Sequence, residues 1–332
     1  MKRITILFVV IAVLLILGII FFPINSQKTA KILPTPAPKT KINLGYYKTS
    51  ATRAFAILAE KKGFFRKYNI DVKTQGIDTA LPTALVSKQI NVALQSPTAF
   101  ITAKANGADI FEIGELTNDF PFVMISYKTV SNIKTIGVNR IGGESYLRAI
   151  QMLKKLNVEV GSVTFKTTGG GPSMLEALRA GQVDAVIEPS LDWSIIKGQK
   201  LLNPEPKIVY DTTSDKSLRN PTVIIVDGDL LKKDVKTLES LSKALIQTNN
   251  WIISAADDEL SGLLEEEGIK KEQAIAMVKD YKSTLGGWKF RPEKEVVREI
   301  AGTIEEIKNK KFDVDSFVLE KIADSLQKED FR

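Results

Sequence analysis

Two stretches of this sequence share one layout: residues 84–93 read ALVSKQINVA, and residues 177–186 read ALRAGQVDAV. Each predicts the end of a helix, a tight turn and then a buried strand, because helical spacing of apolar residues gives way to a short apolar run. A loop that contains a proline, Pro97 or Pro189, follows each predicted strand. Two α/β lobes of similar build would give this echo, and so would chance similarity between two ordinary helix-to-strand turns.

The sequence on either side of the two stretches alternates between strand and helix patterns. Helices are predicted at 54–62, 79–88, 142–156 and 174–180, and one more after the loop at 95–97. Strands are predicted at 41–46, 69–75, 90–94, 110–115, 122–127, 134–138, 163–167, 183–187 and 222–226. Such alternation is typical of βαβ units. We therefore predict an α/β fold with mainly parallel sheets flanked by helices, followed by a helical segment from Leu230 onward.

The composition excludes several kinds of chemistry. The 332 residues include no cysteine and no histidine, so a disulfide, a Cys/His zinc site and a Ser-His-Asp triad are excluded. The 44% hydrophobic and 26% charged residues are typical of a globular protein. The net charge of +7 is spread along the chain without a basic run between aromatic residues, so we expect no nucleic-acid partner. We expect neither a metal nor a cofactor.

The amino-terminal residues predict a membrane segment. Lys2 and Arg3 precede an uncharged apolar run at 4–22, which as a helix would extend about 28 Å, close to the thickness of the bilayer core. The basic residues place its start in the cytoplasm. The run is longer than a secretory signal core and ends without small residues. We therefore predict that residues 1–22 are a single-pass anchor or uncleaved signal with the body outside the cytoplasm, or that the body is secreted if they are cleaved.

Residues 23–40, PINSQKTAKILPTPAPKT, predict a linker. Pro34, Pro36 and Pro38 alternate with small residues, which favours an extended, semi-rigid spacer. The spacer would hold a globular body, which begins at Lys41, away from the membrane.

Candidate ligand-binding residues follow the predicted strands, because open α/β sheets bind ligands beyond the carboxyl ends of their strands. They are Tyr47, Thr49, Ser50, Thr52, Gln95, Ser96, Asn118, Asp119, Phe120, Gly143, Glu144, Ser145, Gly169, Gly170, Gly171 and Glu188. Several of these loops lead into helices, whose amino termini suit anions or neutral polar groups. The acidic residues near the predicted cleft are Glu144, Glu188, Asp119 and Asp192. If two of them face the cleft, they would instead favour a ligand with an amine or amidine-like edge, and solvated surface carboxylates are the alternative. A flexible connection at 169–171 and a purely capping role for Ser145 are the structural alternatives.

Residues 42–46, INLGY, and 59–65, AEKKGFF, resemble the solute-binding proteins of ABC importers for nitrate, sulfonate, taurine and thiamine precursors. That family typically reads I-x-x-G-Y, then A-x-x-x-G-F-F, then an extended strand, then A-L-x-x-G-x-(I/V)-(D/N). Both echoing stretches resemble the last pattern, with Lys88 in place of the usual glycine in the first. The order and spacing of these motifs resemble the family over about residues 41–325.

The resemblance implies a periplasmic-binding-protein type II fold, in which two lobes joined by a two-stranded hinge close on a solute. We expect lobe I at 41–118 plus 223–332 and lobe II at 119–222. The implied function is a monomeric solute-binding component of an ABC importer. It would deliver a small polar organic solute or an oxyanion, such as a sulfonate, nitrate or thiamine precursor, to permease subunits.

Two departures from the family matter. Without a cysteine the chain has no site for the lipid anchor that is common in monoderm relatives, so the membrane segment at 4–22 would take its place. Without a histidine, the pyrimidine synthesis that one branch of the family performs with its own histidine is excluded. We expect a binding protein and no enzyme. A sensory or scaffold domain, and an enzyme on the same fold, are the alternatives.

Overall fold

The computed structural model describes residues 40–47, 51–77, 81–198, 202–285, 288–308 and 311–326. The predicted anchor at 1–22 and all of the predicted linker except Thr40 lie outside these residues. Among the residues described, no helix combines the length and the apolar character that crossing a membrane requires.

Ten strands form two five-stranded sheets. The first sheet has the order β2-β1-β3-β10-β4, and the second has the order β7-β6-β8-β5-β9. The strands of the first sheet are β1 (Lys41–Tyr47), β2 (Asp71–Ile77), β3 (Val92–Gln95), β4 (Ile110–Glu115) and β10 (Val223–Asp227). Those of the second are β5 (Phe122–Ser126), β6 (Thr135–Val138), β7 (Thr164–Thr167), β8 (Ala185–Pro189) and β9 (Lys207–Asp211).

Helices flank both sheets, and most of those in the carboxy-terminal third pack on the first. They are α1 (Ala51–Lys61), α2 (Phe64–Lys67), α3 (Leu81–Val86), α4 (Thr98–Ala105), α5 (Glu144–Lys155), α6 (Pro172–Arg179), α7 (Ser190–Gly198), α8 (Gly228–Lys233), α9 (Val235–Ser254), α10 (Asp257–Glu265), α11 (Lys271–Thr284), α12 (Lys294–Lys308) and α13 (Lys321–Leu326). The prediction of an α/β fold with a helical carboxy-terminal segment is confirmed.

Four of the five strands in each sheet run in the same direction, in line with the expectation of mainly parallel sheets, but both sheets are mixed because one strand in each is reversed. In each sheet one strand, β10 or β5, pairs antiparallel with both of its neighbours. The cause is geometric. The chain leaves the first sheet after Glu115, and β5 begins at Phe122, directly opposite Pro189 at the carboxyl end of β8. A strand that begins where its neighbour ends must run against it, and β10 begins in the same way opposite Gln95.

The two echoing stretches occupy equivalent places in the two sheets. Lys88 and Gly181 both adopt left-handed backbone conformations, with φ of 62° and 68°, just after α3 and α6. The strands that follow, β3 and β8, are the middle strands of their sheets. The echo in the sequence therefore reflects the same turn into the centre of each sheet. The exact lobe boundaries at 118/119 and 222/223 stay a prediction.

Apolar side chains cover both faces of each sheet. Along β10, Ile224 and Val226 belong to one hydrophobic cluster of the first sheet, while Val223 and Ile225 belong to another. Alternation of the strand places successive residues on opposite faces. Burial on both faces explains why β10 is a nearly continuous apolar run rather than an alternating one.

We expect Gly114→Ala to destabilise the protein by about 1–3 kcal/mol, the usual cost of overpacking a core. Gly114 lies in β4, and a Cβ atom there would come within 2.8 Å of two ring carbons of Phe290. Phe290 is itself buried in the core of the first sheet, so its ring has little room to move. Urea unfolding followed by tryptophan fluorescence measures the loss.

Gly262→Ala is the matched control for this prediction. Gly262 lies in α10, and a Cβ atom there would meet nothing within 4 Å. Alanine is favoured over glycine inside a helix by about 0.8–1 kcal/mol, so this variant should be slightly more stable than the parent. Equal stability changes in the two variants would contradict the packing argument at Gly114.

Candidate functional site

The carboxyl ends of strands from both sheets meet in one region. Tyr47 ends β1 in the first sheet and interacts with Arg140 and Glu144, which follow β6 in the second sheet. The Tyr47 hydroxyl also hydrogen-bonds the side chain of Gln95, and burial raises its pKa. Asn220 Nδ2 donates a hydrogen bond of 2.6 Å to Glu144 Oε1. The loops that the sequence indicated as binding loops therefore approach one another across the two sheets.

Buried polar atoms without partners lie at the end of the middle strand of the first sheet. Gln95 is the last residue of β3, Ser96 follows it, and Thr98 is the first residue of α4. Ser96 and Thr98 are 4% and 2% exposed. The Oε1 atom of Gln95, the Oγ atom of Ser96 and the Oγ1 atom of Thr98 are buried without a hydrogen-bond partner. Because buried polar groups are nearly always paired in folded proteins, this set is suited to receive a polar ligand.

Buried polar atoms without partners also lie at the end of the middle strand of the second sheet. Glu188 is 1% exposed, and its Oε1 atom has no hydrogen-bond partner. Ser190 begins α7, and its Oγ atom is also buried and unpartnered. Burial raises the pKa of Glu188 well above its ordinary value, and the nearby carboxyl of Asp192 adds to the effect. Strands β3 and β8 therefore each end in a group of unsatisfied polar atoms.

The loop before α5 is braced internally. Ser145 Oγ accepts a hydrogen bond from the backbone N–H of Asn139 at 2.9 Å and donates one to Asn139 Oδ1 at 2.8 Å. Gly143 precedes the helix in an extended conformation, and a Cβ atom there would lie 2.7 Å from Arg140 Cγ. These contacts fix the backbone that carries Glu144. A role of Ser145 in ligand binding stays a prediction, and its hydroxyl already has two partners.

The glycine run forms the turn into α6. Gly169 and Gly171 have φ of 77° and 56°, a region that side chains rarely adopt, whereas Gly170 does not need it. The hydroxyl of Ser173 donates to the carbonyl oxygen of Gly170 at 3.0 Å. The turn therefore needs glycine at two of the three positions for conformational reasons alone. Contact between this loop and a ligand stays a prediction.

The chain passes between the two sheets at residues 116–121, the first crossing, and at residues 212–222, the second crossing. The predicted site residues of the first crossing belong to a network that joins it to the second. Asp119 Oδ1 accepts hydrogen bonds from the backbone N–H groups of Phe120 at 2.8 Å and Asn220 at 2.7 Å. The backbone N–H of Asn118 donates to the carbonyl oxygen of Thr284 at 3.0 Å. Phe120 packs against hydrophobic clusters of both sheets. Asp119 and Phe120 therefore help to hold the two crossings together. Their role in ligand binding stays a prediction.

An ion-pair group lies behind the same crossings. Glu115 is 1% exposed at the end of β4, and both Glu115 and Glu293 pair with the guanidinium of Arg219. Arg219 Nε also donates to the carbonyl oxygen of Asn118. Burial raises the pKa of Glu115 to about 7, although Arg219 opposes this shift. Arg219 thus ties the second crossing to the first.

Three predicted site residues precede or begin α1. Thr49 and Ser50 lie outside the described residues. Thr52 is buried in the first turn of α1. The sequence analysis did not select Thr98 or Asn220 as site residues. The available signal was their position, four residues after the predicted strand at 90–94 and two residues before the one at 222–226. Within the described ranges, no group of acidic residues is arranged to hold a metal ion.

Comparisons with known proteins identify relatives of this arrangement. The model of a family described as "NMT1/THI5 like" matches residues 51–259, more than half of the chain. No curated protein matches the chain.

Several solved structures are similar. The periplasmic aliphatic sulphonate-binding protein SsuA from Escherichia coli is 16% identical, with 86% of this chain and 99% of that chain covered and a TM-score of 0.68. The periplasmic nitrate-binding protein NrtA from Synechocystis PCC 6803 is 14% identical, with 87% and 88% covered and a TM-score of 0.64. The ligand-binding component of an ABC-type import system from Staphylococcus aureus, with zinc bound, is 13% identical, with 86% and 98% covered and a TM-score of 0.68. At these identities the similarity shows a shared fold.

Proposed function

The chain belongs to the NMT1/THI5-like family, and we propose that it is the extracytoplasmic solute-binding component of an ABC importer. In this proposal a small polar solute binds between the two sheets, and the closed protein delivers it to permease subunits. The role is capture and release without a chemical step. The sulfonate- and nitrate-binding proteins that share the fold support this type of function.

One observation carries the proposal. Each sheet presents unpartnered, buried polar atoms at the carboxyl end of its middle strand, from Gln95, Ser96 and Thr98 on one side and from Glu188 and Ser190 on the other. Leaving such a group unsatisfied costs about 1–3 kcal/mol. A polar solute with several hydrogen-bonding groups would satisfy both sets at once, which favours the closed arrangement.

The two crossings supply the motion that capture requires. Residues 116–121 and 212–222 connect the sheets without a strand of their own. Ligand binding would select the closed state of such a hinge by making contacts that the open state lacks. The predicted segment at 4–22 and the proline-containing spacer at 23–40 would hold the body near the permease. Both lie outside the described residues and are part of the proposal.

A thermal-shift screen of the purified full chain tests the proposal. The panel contains sulfonates, nitrate, carboxylates, amines, amino acids and thiamine-related pyrimidines. A ligand at 100 times its Kd adds about 2.7 kcal/mol to the stability, which corresponds to a rise in Tm of about 5–10 °C for a protein of this size. We expect at least one compound to give such a rise.

Two variants check that a rise comes from the proposed site. The double variant Ser96→Ala and Ser190→Ala removes one hydroxyl from each sheet and should reduce the rise. Ser254→Ala is the control, because Ser254 is exposed and bonds only to the backbone of its own helix. A panel without any hit on a cooperatively melting protein would contradict the importer proposal and favour the sensory or scaffold alternative.

A further inference from the structure

Three carboxyl groups interact in succession, from the second sheet to the helices that pack on the first. Glu188 ends β8, Asp192 lies in the first turn of α7, and Asp280 lies on α11 among the helices that pack on the first sheet. Helix α7 packs against α11. The charge of Asp192 acts on Glu188, and that of Asp280 acts on Asp192. A series of three interacting carboxyl groups therefore links the end of β8 to helix α11.

No basic group of the described residues compensates these acids. Burial raises the pKa of Asp192 to about 7 and that of Asp280 to about 6. The neighbouring carboxyls raise the pKa values of Glu188 and Asp192 further, and no cation lowers any of the three. Glu188 is the most deeply buried of them, and its Oε1 atom has no partner. A carboxyl in this position lacks the positive partner that buried charges normally have.

We propose that the solute carries a protonated amine or amidinium group, whose N–H donors bind Glu188 between the two sheets. This inference rests on the proposed function and narrows its solute class. The buried, unpartnered Oδ1 of Asn220 and Oε1 of Gln95 would add acceptors for further N–H groups. Side-chain amides can present either end to a ligand, whereas an ionised carboxylate only accepts. Glu188 therefore decides the charge of the solute.

Arg148 is the competing feature, because a buried guanidinium would suit an anion. Its Nη1 atom donates to Gln151 Oε1 and to the carbonyl oxygen of Leu218, whereas Nε and Nη2 have no partner. However, the carboxyls of Glu144 and Asp119 already act on its charge. Two carboxyls thus already balance the charge of Arg148 and would repel an anion bound there. No base balances Glu188, so a cation bound there would find an uncompensated acid. The electrostatic balance favours the cation.

The two solute classes give opposite pH dependence. Glu188 binds a cation in its ionised form, so the affinity for a cation should rise as the pH increases and binding should release a proton. An anion would require the protonated carboxyl, so its affinity should fall over the same range. Among the described residues, Asp192 is the charged group that acts on Glu188, and its titration changes the affinity in the same direction.

Matched pairs of ligands on the full chain test the inference by thermal shift and calorimetry between pH 5.5 and 8.5. The pairs are propylammonium with propanesulfonate and ethanolammonium with 2-hydroxyethanesulfonate, and benzamidine and guanidinium extend the cation set. We expect cations to bind, with an affinity that rises with pH. We expect Glu188→Gln to weaken the binding by about 10- to 100-fold, the usual effect of losing one charge-assisted hydrogen bond.

Glu176→Gln is the control, because it removes the same charge from an exposed position on α6, and it should leave the affinity unchanged. Anion binding that survives in Glu188→Gln and is lost in Arg148→Met would overturn the inference and leave the importer proposal standing. If no cation, no anion and no compound of the wider solute panel binds, both the importer proposal and this inference are overturned. A cooperative melting transition in each variant shows that it has folded.

Discussion

Replacing Arg219 with methionine is expected to lower the free energy of unfolding by about 3 kcal/mol at pH 8, because removing one partner of a buried pair leaves the other uncompensated. Glu115 is the partner left behind, with 1% exposure. The variant also loses the hydrogen bond from Arg219 Nε to the carbonyl oxygen of Asn118 in the other crossing. The loss should stay at the low end for a buried pair because Glu115 can take up a proton. Urea unfolding measures it.

The loss should shrink as the pH falls. The pKa of Glu115 is raised to about 7 in the folded protein, against an ordinary value of 4.5. Below the ordinary value the group is protonated in both the folded and the unfolded state, so Glu115 is no longer a charged partner of Arg219 there. The destabilisation by Arg219→Met should therefore be largest above pH 7 and smaller at pH 4.5. A loss that is independent of pH would show that the ion pair is not its cause.

Two further variants test whether the loss in Arg219→Met comes from the ion pair with Glu115 or merely from the loss of an arginine side chain. Arg298→Met removes an arginine whose partners, Glu295 and Asp315, lie on the surface, and we expect it to change the stability little, as exposed pairs usually do. Adding Glu115→Gln to Arg219→Met removes the orphaned charge and should restore part of the stability. Failure of this second change to restore any stability would contradict the assignment of Glu115 as the residue affected.

The strands that the sequence predicted well are those with strong local patterns. The strand at 110–115 begins and ends where β4 does. Its residues IFEIGE follow the stretch NGAD at 106–109, which favours a turn. The strand β9 was not predicted: its residues KIVYD are mostly exposed or half-buried, so the run lacks a clear apolar pattern. Helix α7 begins at Ser190, directly after Pro189, where the sequence analysis predicted only a loop. A reversed strand such as β10 also cannot be recognised locally, because its direction depends on where the chain crosses.

In the candidate site, too, the residues set by local sequence patterns could be predicted, whereas those brought in by tertiary packing could not. Gln95, Ser96 and Glu188 follow predicted strands, and the structure places all three at the ends of the middle strands with buried, unpartnered atoms. The rule that ligands bind beyond strand ends was sufficient to find them. Asp280 was not found, because it comes from a helix far along the chain and approaches Asp192 only through helix packing. The hydrogen bonds of Asp119 could not be predicted from the sequence either, because its partners are backbone N–H groups.

We expect Glu112→Gln to stabilise the protein at pH 7.5, because an acid whose pKa is raised by burial costs free energy of folding once the pH exceeds its ordinary pKa. Glu112 lies in β4 and is 0% exposed, and neither of its carboxyl oxygens has a hydrogen-bond partner. Burial, with a smaller effect from Glu115, raises its pKa well above the ordinary value of 4.5. Urea unfolding at a series of pH values measures the gain.

The pH dependence of this gain identifies its cause. Well below pH 4.5, Glu112 is protonated in both the folded and the unfolded state, so Glu112→Gln should change the stability little there. As the pH rises, the unfolded chain ionises while the folded protein retains the proton, and the parent loses stability that the variant keeps. Glu299→Gln on the exposed face of α12 is the control, because it removes the same charge without a buried group. Parallel stability curves for parent and Glu112→Gln would mean that Glu112 ionises in the folded protein as readily as in the unfolded chain.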